Sequence, residues 1–237
     1  MKRLFLFTVL ATALTLGVGA EEQTQQKLGE ETEETETAVN ELSLSGARGY
    51  AGRKVALPIS LTNTQEIVGF QLNLHLPDGV SVAEDEEGEP LVTFSERTTD
   101  EQHFVATYKL ASGAIRVVCS SDQNKVFAGN EGVVFSLMLN TDADMAVDDY
   151  EVSVSDIVLS DKRSKTYEPN DVTTTLTITV LGDVNGDKSV NVGDIMAIIN
   201  YMAGMRDSFT AEVADVNGDG KVNVGDIMAV INIMASK

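Results

Sequence analysis

Hydrophobic and polar residues alternate over most of this chain. Val55, Leu57, Ile59 and Leu61 fall on every second position, as do Phe70, Leu72, Leu74 and Leu76. The pattern returns at Val133, Phe135, Leu137 and Leu139 and again at Leu176, Ile178 and Val180. A period of two puts one face of each segment in a core and the other in water, so these segments are predicted strands. Pro77-Asp78-Gly79 and Asn130-Glu131-Gly132 carry turn chemistry between them. No helical period interrupts residues 42–181, and closely spaced strands of this kind predict a two-sheet β-sandwich.

Near the C-terminus the period lengthens to 3.6. Ile195, Ile198, Ile199 and Met202 stand at i, i+3, i+4 and i+7, and Ile227, Val230, Ile231 and Met234 repeat the spacing. These are two predicted amphipathic helices, each turning those four residues toward the other, with Gly204 as a stop for the first. Met196, Asn200 and Ala203 follow Val192 along an adjacent outward stripe, and Val224, Met228, Asn232 and Ala235 form its counterpart.

The remaining segments are simpler. Lys2 and Arg3 precede an uncharged apolar run, Leu4 to Val18, and small residues lead to Ala20. This reads as a signal peptide over residues 1–20, of bacterial appearance, and predicts a secreted protein, extracellular or at the cell surface. The run is short of the roughly 20 residues that span a bilayer, so no membrane span is expected. Residues 21–41 are dominated by Glu, Thr and Gln and read as an acidic disordered spacer. The net charge of -20 repels phosphates and argues against nucleic acid as a partner. A single cysteine, Cys119, leaves no intrachain disulfide and reads as a buried thiol. His75 and His103 are isolated on strand-like segments and read as packing or surface residues, and Glu84 to Glu87 as a solvated loop. No nucleophile–base set or carboxylate pair can be placed, so an enzyme is not expected.

The strongest signal is an internal repeat. Residues 183–203 and 215–235 agree at 17 of 21 positions. Each copy opens with the D-x-N-x-D spacing of an EF-hand-like loop. Calcium takes six to eight oxygen ligands, and alternate side chains of a tight loop can supply them. The first loop offers Asp183, Asn185 and Asp187 at positions one, three and five, the Ser189 carbonyl at seven, Asn191 at nine and Asp194 at twelve. The second offers Asp215, Asn217, Asp219, the Lys221 carbonyl, Asn223 and Asp226. Two Ca2+ ions are therefore expected. Position six is Gly220 in the second loop but Lys188 in the first. A left-handed turn there costs a side-chain-bearing residue about 1 kcal/mol, which predicts a weaker first site.

With a strand read before the first loop and only a short connector before the second, each loop is followed by a single helix. In this arrangement residues 182–237 resemble a type I-like dockerin module of cellulosome-type proteins. The resemblance implies a cohesin-type domain as partner, docked by either of two near-identical helices. Type I dockerins often carry Ser/Thr pairs at positions ten and eleven. Here those positions hold Val192-Gly193 and Val224-Gly225, which suggests a more apolar contact. The run Gly52–Asn63, with Ile67 to Leu72, Gly113 to Val117 and Gly132 to Phe135, is similar to cohesin domains. The implied fold is mainly β: a cohesin-like sandwich of jelly-roll type over residues 42–181, then a small helical calcium module. By the same resemblance the sandwich itself could take a dockerin.

The function expected is calcium-dependent docking or scaffolding, non-catalytic, in an extracellular complex for polysaccharide degradation. A carbohydrate-binding module carried by a dockerin is the alternative, although the chain has no Trp to grip a sugar face. Only Leu181 separates the last strand from Gly182-Asp183. So short a joint predicts a fixed, partly apolar contact between sandwich and calcium module.

Overall fold

The computed structural model describes residues 39–98, 103–205 and 209–236. The signal-peptide reading and residues 21–38 of the spacer lie outside the described residues. The spacer reading ends sooner than expected, because Asn40 and Glu41 already belong to a strand that pairs with Asn63 and Thr62.

Among the described residues twelve strands build two sheets. The first contains β1 (Asn40–Leu44), β3 (Lys54–Asn63), β9 (Val133–Thr141) and β5 (Val80–Val82) in that spatial order, with β6 (Val92–Phe94) also on β9. The second runs β2 (Ala47–Gly49), β12 (Val172–Ile178), β10 (Asp149–Asp161), β4 (Ile67–His75), β8 (Ile115–Ser120) and β7 (Phe104–Lys109), with β11 (Thr166–Tyr167) on β10. All pairings are antiparallel except β12 with β2.

The alternating residues become the core between the sheets. Val55, Leu57, Ile59 and Leu61 of β3 face Leu72, Leu74, Val152, Val154 and Leu176, all essentially without solvent exposure. Phe70 stacks on Phe135 with ring centroids 5.9 Å apart, closing the layer at one end. Each such side chain stabilises the fold by about 1.5–3 kcal/mol through burial. Cys119 lies in this core, where burial raises its thiol pKa to about 12. Arg97 is among the buried polar residues: its guanidinium donates to the carbonyls of Ala128, Gly132 and Leu61 and to Asn63 Oδ1, tying β3 to the loop before β9.

The last strand is shorter than its sequence pattern. β12 stops at Ile178, and Val180 and Leu181 are exposed. Beyond them come α1 (Val192–Met202), the short α2 (Ala211–Ala214) and α3 (Val224–Ala235). Gly204 takes φ +75° after α1, and its N–H donates to the Tyr201 carbonyl, a left-handed helix stop. α2 corrects the expected bare connector, since a turn of helix precedes the second loop. Among the described residues no helix is long and apolar enough to cross a membrane.

Candidate metal centre and docking face

Each loop is a chain of tight turns whose amides point at carboxylates. Asp183 Oδ1 accepts from Gly186 N at 2.9 Å and its Oδ2 from Lys188 N at 3.1 Å. The corresponding Asp215 accepts from Gly218, Asp219 and Gly220 at 2.8–3.1 Å. Asn185 and Asn191 amides both reach Asp187 Oδ2, at 3.1 and 3.4 Å. These hydrogen bonds, the Asn185 amide foremost, hold the Asp187 carboxyl below its usual range. The Asn191 and Asn223 amides turn to the Ser189 and Lys221 carbonyls, at 3.3 and 3.4 Å.

Position twelve ties each loop to its helix. Asp194 Oδ1 accepts from Val184 N and Asn185 N at 2.7 and 3.0 Å, and Oδ2 from Asn191 N at 2.8 Å. Asn191 is the N-cap of α1, its Oδ1 accepting from Gly193 N at 2.7 Å. Asn191 and Asp194 thus form a capping box, and Asn223 and Asp226 repeat it on α3. That second duty of positions nine and twelve was not read from the sequence. An Asn three residues before Asp at a helix start was the signal for it.

All twelve predicted donors therefore gather in two turns, and their chemistry is entirely oxygen. Among the described residues no three His, Cys, Asp or Glu side chains converge as a ready metal cluster, because the carboxylates are engaged by main-chain amides. The set nonetheless fits a hard cation. Asp183, Asp194 and Asp226 are fully buried. The ion pair found among the described residues, Lys162–Glu66 at 3.8 Å, lies in the sandwich. Buried carboxylates without a cation are costly, and a hard divalent ion with oxygen ligands offsets that cost. Lys188 adopts φ +67°, the left-handed conformation that Gly220 takes in the second loop at +81°.

The helices share a small core. Ala197, Ile198, Val213, Ala214 and Val230 are buried together with Val184, Val190 and Val216 from the loops. Ile199, Met202 and Ile231 correct the expected inner face, for they are exposed. An α-helix this narrow buries only one side, and Ala197 takes the inner place assigned to Ile199. The outer apolar stripe is consequently wider than expected. Val192 is 60%, Met196 50% and Ile199 41% exposed on α1, and Val224, Met228 and Ile231 match them on α3. Asn232, Ala203 and Ala235 are exposed alongside, and Asn200 is half-buried.

The joint with the sandwich is made by residues that sequence reasoning missed. Tyr50, 2% exposed, sits in the helical module's own core, and its hydroxyl donates to the Val213 carbonyl at 2.8 Å. Burial, the largest cause, pushes its pKa well up. Arg53 donates to the Asp215 and Val216 carbonyls at 2.7 and 2.9 Å, and Arg48 donates to the Val184 carbonyl. Thr179 Oγ1 donates to Asp183 Oδ2 at 2.6 Å. Leu181, expected at the contact, is outside it. Two arginines flanking a tyrosine in a strongly acidic chain were the available signal.

Residues 181–235 match the family model of the dockerin type I domain. No curated protein matches the chain. Solved structures similar to it are cohesin modules. One, from a family 33 glycoside hydrolase of Clostridium perfringens, is 10% identical, covering 60% of this chain and 98% of its own, with a TM-score of 0.47. CaCohA2 from Clostridium acetobutylicum is 14% identical over 60% of this chain and 90% of its own, TM-score 0.46. A non-cellulosomal cohesin from Archaeoglobus fulgidus is 14% identical over 59% and 92%, TM-score 0.44. Residues 181–235 are thus similar to the dockerin type I domain, and they follow a two-sheet β-sandwich.

Proposed function

We propose that this protein is a calcium-dependent docking component, secreted and non-catalytic, which joins a larger extracellular assembly through its dockerin domain. Two Ca2+ ions would be held by Asp183, Asn185, Asp187, the Ser189 carbonyl, Asn191 and Asp194, and by Asp215, Asn217, Asp219, the Lys221 carbonyl, Asn223 and Asp226. The ions supply charge neutralisation; the chain's own residues fix the helices. A cohesin-type domain would dock on Val192, Met196, Asn200 and Ala203, or on Val224, Met228, Asn232 and Ala235. The observation that carries this reading is the duplicated, exposed apolar stripe above two oxygen-rich loops. A surface of this kind on a small module is a contact surface for another protein.

A second reading concerns the sandwich. Phe104 and Tyr108 are exposed, four residues apart on the edge strand β7, and therefore on one face. Paired aromatic faces favour a glycan ligand. Capture of the full chain by immobilised cohesin domains, compared with capture by polysaccharides, separates the two. Cohesin capture that chelator abolishes supports docking; polysaccharide capture lost in Tyr108→Ala supports the glycan reading.

A further inference from the structure

The corner between β2 and β3 touches both candidate calcium loops at corresponding positions. Arg48 ends on the Val184 carbonyl and Arg53 on the Val216 carbonyl, which are the second positions of the two loops. Each guanidinium also lies over the glycine at the fourth position. A Cβ on Gly186 would fall 1.6 Å from Arg48 Nη1, and one on Gly218 would fall 3.1 Å from Arg53 Nη1. Both glycines take left-handed φ, +80° and +77°. Tyr50 stands between the two arginines and enters the helical core. One corner of the sandwich thus matches the internal repeat of the helical module, one arginine to each copy.

We propose that Arg48 and Arg53 are positioning residues that set the calcium affinity of the two loops, each acting on its own loop. This rests on the calcium reading above. The loop amides point inward at Asp183 and Asp215, while outward carbonyls are taken by the guanidinium groups, Val184 by Arg48 and both Asp215 and Val216 by Arg53. Arginine therefore occupies acceptors the cation does not need and makes no bond to the Asp183 or Asp215 carboxylates. Arg53 holds two consecutive carbonyls in its planar fork and Arg48 holds one, which fixes each loop's path before the ion arrives, so less ordering is left for binding to accomplish. The positive charge itself opposes a cation, but it acts from the outer, partly solvated side of the loop, where water screens it. Pre-ordering is the larger effect, and by linkage calcium must tighten the hold of the module on the sandwich by the same factor.

The test is a calcium titration of the full chain followed by NMR at the Lys188 and Gly220 amides, which report the two loops separately. Arg48→Gln should raise the half-saturating calcium concentration at Lys188 by about tenfold, within the usual range of such couplings, and leave Gly220 within about twofold. Arg53→Gln should do the reverse. Arg53→Lys, which keeps the charge but not the fork, should resemble Arg53→Gln; recovery by lysine would show charge to be the cause and overturn the proposal. Equal effects at both loops, unchanged affinity or tighter binding would overturn it too. Methyl signals of Leu57 and Leu137 confirm that the sandwich is folded; where a glutamine variant is not, the lysine variants decide by the same criteria. A wild-type chain in which neither amide responds to calcium would refute the calcium reading itself, a result distinct from variants that bind like wild type.

Discussion

The Tyr50 hydroxyl donates to the main-chain carbonyl of Val213 at 2.8 Å, across 163 positions of sequence. The bond is buried, and the ring around it packs among Val184, Val213 and Val216. Sandwich and helices therefore share one hydrophobic cluster in addition to a covalent joint. Replacing Tyr50 with Phe keeps the ring and removes the donor, leaving the carbonyl short of its partner. The expected cost is about 1–2 kcal/mol, read as a lower midpoint in urea unfolding of the full chain.

Lys188 carries a φ of +67° that Gly220 carries in the other loop without penalty. Lys188→Gly should stabilise the first loop by about 1 kcal/mol and tighten calcium there severalfold, with Gly220 unaffected. The check is thermal unfolding at fixed calcium beside the titration at each loop.

His103 is buried and its ring stacks on Phe127 at 4.4 Å. Burial, the larger cause, lowers its pKa, and the nearby Lys125 main chain partly opposes this. The fold therefore prefers the neutral ring. Its contribution is complete above an unfolded pKa of about 6.5. It declines as pH falls from there to the lower folded pKa, because the unfolded chain binds the proton first. Urea midpoints at pH 7.5 and 5.5 should differ more for the wild type than for His103→Gln; equal differences would exclude a role for this ring.

The matching stripes on α1 and α3 predict two equivalent modes of docking. Met196→Lys or Met228→Lys alone should weaken capture by a cohesin-type domain about twofold, the loss of one of two modes, while the double variant should abolish it. Loss of all capture from one single variant would restrict docking to that helix.

Much of the sandwich was legible because strand alternation answers to one core. Leu57, Ile59, Leu72 and Leu137 are buried as their positions imply. Periodicity misled at the helices, where Ile199 and Ile231 match the inner stripe in spacing but lie outside. The core of two short helices is too small to take all four large residues from each. The loops were legible as tight turns because Asp, Asn and Gly recur there at fixed spacing. The contact of Arg48, Tyr50 and Arg53 with the helical module was not, since their partners lie more than 130 positions away and the local sequence does not say which carbonyls they meet.

Calorimetric titration of the chelator-stripped full chain counts the two proposed calcium sites directly. The expected result is two ions per chain, falling to one in Asp183→Ala and to one in Asp215→Ala, with helical circular dichroism lost when chelator is added. A wild-type chain that takes up no calcium, or holds two ions despite loss of Asp183 or Asp215, would contradict it.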